Sequence, residues 1–262
     1  MADDEAAPGD LSRPGWSGRR DRAILWTSLA AITLIAWLYL LRMPMSSADF
    51  GGLAQRALLA MPPALVEGWL TFMMWAVMMI AMMLPSAAPM IETYATMVRD
   101  RAVAPWSRVG LFTAGYIIVW TLFSAVATIG QLLLQPVGIV TNAMTTVPLI
   151  SASLLILAGI YQVTPLKNLC LTGCRSPIGF FMTAWRDGAS GALRMGLRHG
   201  AMCLGCCWML MLLLFVFGVM NLIWIATLSV FVLLEKLLPH GRLIARGSGV
   251  AMIAAGVALL IL

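Results

Sequence analysis

Apolar residues in this chain come in runs far longer than a soluble helix or strand needs. A hydrocarbon layer of about 30 Å takes roughly 20 residues of helix, and residues 24–41, 69–91, 109–134 and 147–164 each come close to or exceed that length. The next run, 200–238, is too long for one crossing at about 1.5 Å per residue. It divides at Gly218 to Asn221, where a flexible glycine and a turn-favouring asparagine stand together. A glycine- and alanine-rich run over 247–262 closes the series. The pattern predicts an all-α fold, a polytopic transmembrane helix bundle of about seven spans that forms a single domain over residues 23–262.

The polar residues between the runs set an orientation. Lys and Arg concentrate in cytoplasmic loops, and each added span reverses the side. With the N-terminus cytoplasmic, Arg13, Arg19, Arg20, Arg22, Arg99, Arg101, Arg108, Lys167, Arg175, Arg186, Arg194, Arg198, Lys236, Arg242 and Arg246 all fall inside, 15 of the 17 basic residues. Only Arg42 and Arg56 fall outside. A six-span arrangement would carry Lys236, Arg242 and Arg246 outside as well, so seven spans with the C-terminus outside is preferred. Residues 1–22, with Asp3, Asp4, Glu5, Pro8 and Gly9, read as a mobile cytoplasmic tail and not as a cleavable signal, since the acidic stretch precedes the apolar run.

Composition narrows the partners. With 61% hydrophobic and 11% charged residues and a mean hydropathy of +0.92, neither a water-facing globule nor a disordered chain is expected. The net charge of +6 and pI near 9.4 come without a basic stripe interleaved with aromatic residues, so the expected partner is the lipid bilayer and not nucleic acid. The glycine-rich basic stretch from Arg186 to Gly200 is expected to lie along anionic headgroups, as part of a cytoplasmic Cys-containing loop over 165–199.

Candidate chemistry appears first in the second run, which holds Met73, Met74, Met78, Met79, Met82, Met83 and Met90 within eighteen residues. Met74, Met78 and Met82 are four apart, as are Met79 and Met83, so their thioethers form adjoining columns along one side of a helix. Thioether sulfur is a soft, uncharged donor suited to Cu(I). The same stripe also serves plain packing, because methionine fills gaps between helices. Pro85 and Pro89 interrupt this helix and predict a kink, with Glu92 beyond them as an interfacial carboxylate.

A denser group of donors begins after the fourth run. Thr164-Pro165 has the form of a helix start, threonine as N-cap and proline at the first helical position, which predicts a short helix over 165–174 with Cys170 and Cys174 one turn apart. Pro177 stops it. His199, Cys203, Cys206 and Cys207 then open the fifth span and project within an arc of roughly 100°. All five cysteines and one of the two histidines thus fall within 38 residues, on the side assigned to the cytoplasm, where thiols stay reduced. Cysteines in a membrane helix often pack as small apolar residues, but two patches of soft donors that converge make a metal site. Zinc suits the Cys/His set as well as copper does, so the preference for Cu(I) rests on the methionine column. His240 stands alone and is expected to be solvated, while Glu235 and Lys236 are expected to form an interfacial pair.

The strings WAVMMIAMMLPSAAP (75–89), GIYQVTPLKNLCLTGCRSP (159–177) and MGLRHGAMCLGCCW (195–208) closely resemble the bacterial family of predicted metal-binding integral membrane proteins, domain of unknown function 2182. The resemblance covers about residues 65–245 and implies metal binding and a place in the bacterial inner membrane.

Three functions compete. In the first, Cu(I) is handled by Met74, Met78 and Met82 together with Cys170, Cys174, His199, Cys203, Cys206 and Cys207, for transfer, delivery or facilitated transport in company with a metallochaperone or another membrane or periplasmic protein. No nucleotide-binding loop or ATPase domain is present to drive a pump, and no catalytic residue is singled out. In the second, Cys203 and Cys206, in C-x-x-C spacing, act in thiol redox chemistry. In the third, the chain is a structural accessory subunit whose cysteines only pack.

Overall fold

The computed structural model describes residues 18–42, 62–99, 104–136, 138, 140–141, 144–145 and 147–261. Most of the expected tail, and Arg13, Arg56 and Arg101 of the charge count, lie outside the described residues. The helices are α1 (Gly18–Arg42), α2 (Pro63–Val98), α3 (Pro105–Leu134), α4 (Pro148–Val163), α5 (Pro165–Arg175), α6 (Pro177–Ala184), α7 (Gly188–Leu212), α8 (Leu214–Phe217), α9 (Leu222–Leu237) and α10 (Gly241–Ile261). A two-residue antiparallel pairing, β1 (Val140–Thr141) with β2 (Met144–Thr145), lies between α3 and α4. The all-α bundle is as expected.

Proline marks where the chain turns into helix. α2 to α6 each begin with one in the first turn, where its missing N–H would have had no intrahelical partner. Thr164 caps α5 as its sequence suggests, with Oγ1 accepting from Lys167 N at 3.3 Å. The break in the long apolar run falls at Gly218, which takes φ +92, a backbone conformation that favours glycine. Asn221 then caps α9, its side chain accepting from Ile223 N at 3.2 Å. Helix α2 continues through both Pro85 and Pro89.

All seven expected runs are helical, but they do not all have crossing length. Five are long and apolar enough to span a membrane: α1, α2, α3, α10, and α7 together with α8. α4 and α5 meet at a 63° bend and make a sixth only if counted as one broken span. α9 has 16 residues, about 24 Å of helix, short of the hydrocarbon thickness because Asn221 and the Leu238-Pro239 step bound it. The segment expected to be a loop over 165–199 is largely helical. It contains α5 and α6, and α7 already starts at Gly188, so the glycine-rich basic stretch is the first half of a long helix.

Its glycines explain why. A Cβ on Gly196 would lie 2.0 Å from Phe112 O, and one on Gly115 would lie 2.5 Å from Leu193 O, so α3 and α7 touch backbone to backbone. Gly159 of α4 and Gly249 of α10 meet in the same way. Small residues at such crossings allow the close packing on which helix association in lipid depends.

Burial ranks the helices. About half of the apolar window in α2 and in the α7–α8 segment is enclosed, against 22% in α1, 28% in α3 and 17% in α10. The outward faces of the peripheral helices carry exposed Leu34, Ile35, Val126 and Leu133, as a lipid-facing surface requires. The two helices richest in sulfur therefore form the interior. Between α2 and α3, Trp75 Nε1 donates to Gln131 Oε1 at 2.8 Å, satisfying both polar groups in the core.

Candidate metal centre

Helix α7 carries His199, Cys203, Cys206 and Cys207 inward, all buried. Helix α5 packs against it, held from its other side by an ion pair. Lys167 Nζ reaches Glu235 Oε1 and Oε2 of α9 at 2.9 and 2.8 Å, and Gln162 Nε2 of α4 donates to Glu235 Oε1 and to Ser248 Oγ of α10, each at 3.0 Å. Lys167 also donates to Gln162 Oε1. Lys167, which the charge count assigned to the cytoplasmic side, is fully buried. This closed set joins four helices and fixes how α5 presents its cysteines.

The two cysteine patches meet. Helix α5 packs on α7 where Gly173 meets the Met202 side chain and the Cys170 sulfur lies against Gly205, which brings Cys174 beside Cys203 and Cys206. All five cysteines are free. Cys206 Sγ and Cys207 Sγ both donate to Cys203 O, at 3.1 and 2.8 Å. Cys170 stands at the less buried edge of this group. It is half-buried, with its sulfur against the backbone of α7 at Gly205, whose carbonyl accepts from Tyr161 Oη.

Helix α2 contributes a methionine, though not one of Met74, Met78 and Met82. Cys207 Sγ stands 3.9 Å from Met83 Sδ. Among the described residues this is the one hydrogen bond between a cysteine and a methionine; Met74, Met78 and Met82 are buried in the core. Met83 belongs to the second thioether column, so the pattern in the sequence indicated the helix and its side but not which column ends on the thiols.

Three polar residues that were not among the expected ligands complete the surroundings. Lys236 Nζ donates to Cys203 Sγ at 2.9 Å and to Ser86 Oγ at 2.8 Å. Tyr116 Oη donates to Met83 O at 2.9 Å and touches Cys203 Sγ at 3.1 Å. Ser86 Oγ in turn donates to Met83 O at 2.8 Å. The expected Glu235–Lys236 pair is thus corrected: both are buried, and each serves a different cluster. The available signal was an ionisable pair closing an apolar run, which in a membrane helix marks function by default.

His199 is stacked with Phe112 and Tyr116, with ring centroids at 6.1 and 5.4 Å, and meets the edge of Phe180. Its Nδ1 is buried without a hydrogen-bond partner. Glu92 forms an ion pair with Arg22 at the surface, in keeping with an interfacial role, and His240 is exposed.

Among the described residues no three His, Cys, Asp or Glu side chains already surround a point where a metal ion would sit. Cys206 and Cys207 are turned onto a carbonyl, so coordination by them requires that they release Cys203 O and rotate inward. The chemistry of the set suits a soft ion nonetheless: four adjoining thiols, a thioether and an unpartnered imidazole nitrogen are donors for Cu(I).

An all-α bundle of apolar helices around a sulfur-rich interior is the class this chain defines. Residues 72–259 match the family described as PpoB2, copper chaperone, and the chain belongs to that family. The matched region contains all three strings quoted from the sequence and places the chain in a copper-related family. Comparison with curated proteins and with solved structures finds no match.

Proposed function

We propose that this chain is a multi-pass protein of the bacterial inner membrane, N-terminus inside, that receives Cu(I) as cargo at its thiol cluster and hands it to a partner. The observation that carries this reading is the convergence of Cys174 from α5, Cys203, Cys206 and Cys207 from α7, and the Met83 thioether from α2. Cu(I) prefers low-coordinate soft sulfur, and ligand exchange between neighbouring thiols lets it leave as readily as it enters. His199 supplies a further donor through its unpartnered nitrogen. The Met74/Met78/Met82 column continues the thioether surface along α2, away from Met83.

Elemental analysis of purified protein tests this. Near-stoichiometric copper in the wild type, lost in Cys203→Ser/Cys206→Ser, supports it. A thiol redox role is favoured by one observation, the approach of Cys174 on one helix to Cys203 and Cys206 on another. Protein without copper or zinc that cycles between dithiol and disulfide would establish that reading in its place.

A further inference from the structure

Lys236 is a buried cation with no carboxylate. Its Nζ donates to Ser86 Oγ and Cys203 Sγ, and among the described residues no Asp or Glu forms an ion pair with it. Glu235, its neighbour in sequence, has both oxygens on Lys167. That second cluster is neutral by itself, so it leaves no carboxylate to balance Lys236 inside the thiol site. A charge in this setting is costly until an opposite one is supplied. Ser86 and Tyr116 touch the site as neutral donors and acceptors, and the groups there suited to carrying negative charge are the cysteine sulfurs.

We propose that Lys236 sets the charge of the site: it neutralises a complex of one monovalent soft ion with two thiolates, and thereby favours such an ion over a divalent one. The inference rests on the reading that the thiol cluster holds the ion. The counting is simple. When a monovalent ion enters and the protons of two thiols leave to solvent, the complex carries one negative charge, and the ammonium cancels it. A divalent ion on the same two thiolates is neutral already and leaves Lys236 uncompensated. To regain neutrality it must draw in a third thiolate, against the packing that holds the cysteines to Cys203 O. Lys236 is a positioning and charge-balancing residue here, not a ligand, since an ammonium has no lone pair to offer.

The experiment uses the full chain in detergent micelles, kept reduced and free of oxygen. Affinity for Cu(I) is read by competition with a chromophoric Cu(I) chelator, and for Zn(II) with a zinc chelator, in wild type, Lys236→Met and Lys236→Arg. Lys236→Met is expected to lower Cu(I) affinity by more than about tenfold, the scale of removing one partner of a desolvated charge pair, while Zn(II) affinity holds or rises. Lys236→Arg is expected to keep the order of preference. Cu(I) affinity unchanged in Lys236→Met, or both affinities falling together, overturns the proposal. Should Lys236→Met fail to fold, Lys236→Gln tests the same ratio, and the copper-edge spectrum of the wild type tests the count directly: a centre of four thiolates overturns it. Wild-type protein that binds no Cu(I) overturns the reading of the site itself.

Discussion

Glu235 and Lys236 are consecutive in α9, yet Glu235 closes an ion pair with Lys167 while Lys236 reaches Cys203. Successive helical side chains diverge by about 100°, so one turn of α9 serves two clusters. One cluster holds the helix that bears Cys170 and Cys174; the other touches the thiol site. The end of α9 therefore couples the placement of one cysteine patch to the charge around the other.

Removing one side of the Lys167–Glu235 pair should be worse than removing both. Glu235→Gln leaves Lys167 buried without its counter-charge, and loss of one partner of a buried pair costs about 3–5 kcal/mol. Lys167→Met/Glu235→Leu replaces the pair by apolar volume and should recover much of that loss. Thermal unfolding in micelles, followed by helicity, checks the order wild type, double variant, single variant. Alkylation of Cys174 should also quicken in Glu235→Gln, as α5 loosens from α7.

The α3–α7 crossing gives a sharper steric test. An alanine at Gly196 would place its Cβ 2.0 Å from Phe112 O, so the helices must separate, whereas one at Gly110 meets nothing within 4 Å. Gly196→Ala should lower the melting temperature and weaken copper binding, because Tyr116 and Cys203 face each other across that same crossing. Gly110→Ala should be neutral or should stabilise by up to about 1 kcal/mol, since alanine is the better helix former. Equal behaviour of the two variants would contradict the close crossing.

Which parts of this arrangement were legible beforehand follows from the range of the forces involved. Thr164-Pro165 and Gly218 to Asn221 act locally, through capping and backbone conformation, and the helix boundaries they mark are found where the sequence puts them. That the helix bearing Cys170 and Cys174 packs against the one bearing Cys203 and Cys206 was legible only as two patches of like donors close together in sequence. Gly196 and Gly200 misled, because glycine in a basic stretch has the composition of a loop, and only a partner backbone at close range shows that it is a packing surface. Met83 and Lys236 were invisible as site residues because their roles depend on helix rotation and on neighbours far away in sequence. Periodicity fixes a face of a helix, but not which residue on it meets Cys207.

Met83 and the other methionine column should separate in their effects. Methionine to leucine roughly keeps volume while deleting sulfur. Met83→Leu should weaken Cu(I) affinity in chelator competition, since its sulfur is the thioether beside Cys207. Met74→Leu, Met78→Leu and Met82→Leu should leave that affinity unchanged and slow copper movement across vesicles if the column conducts the ion. Unchanged movement in the triple variant would remove the column from the route and leave the thiol site intact.

His199 offers a test in which stability and binding move in opposite directions. Its ring lies among Phe112, Tyr116 and Phe180, a setting that phenylalanine would fill well. Its Nδ1 is buried and unpartnered, and an unsatisfied buried polar group costs about 1–3 kcal/mol. A residue serving packing alone would be improved by His199→Phe in every respect. A donor held ready for an ion gives a different pattern: His199→Phe should raise the melting temperature of the metal-free protein, lower its Cu(I) affinity, and shrink the further rise in melting temperature that copper brings. Binding free energy adds to the stability of the folded state alone, so unfolding measured with and without copper reports both quantities. A variant that is more stable and binds copper as the wild type does would assign the imidazole to the aromatic stack and strike it from the donor set.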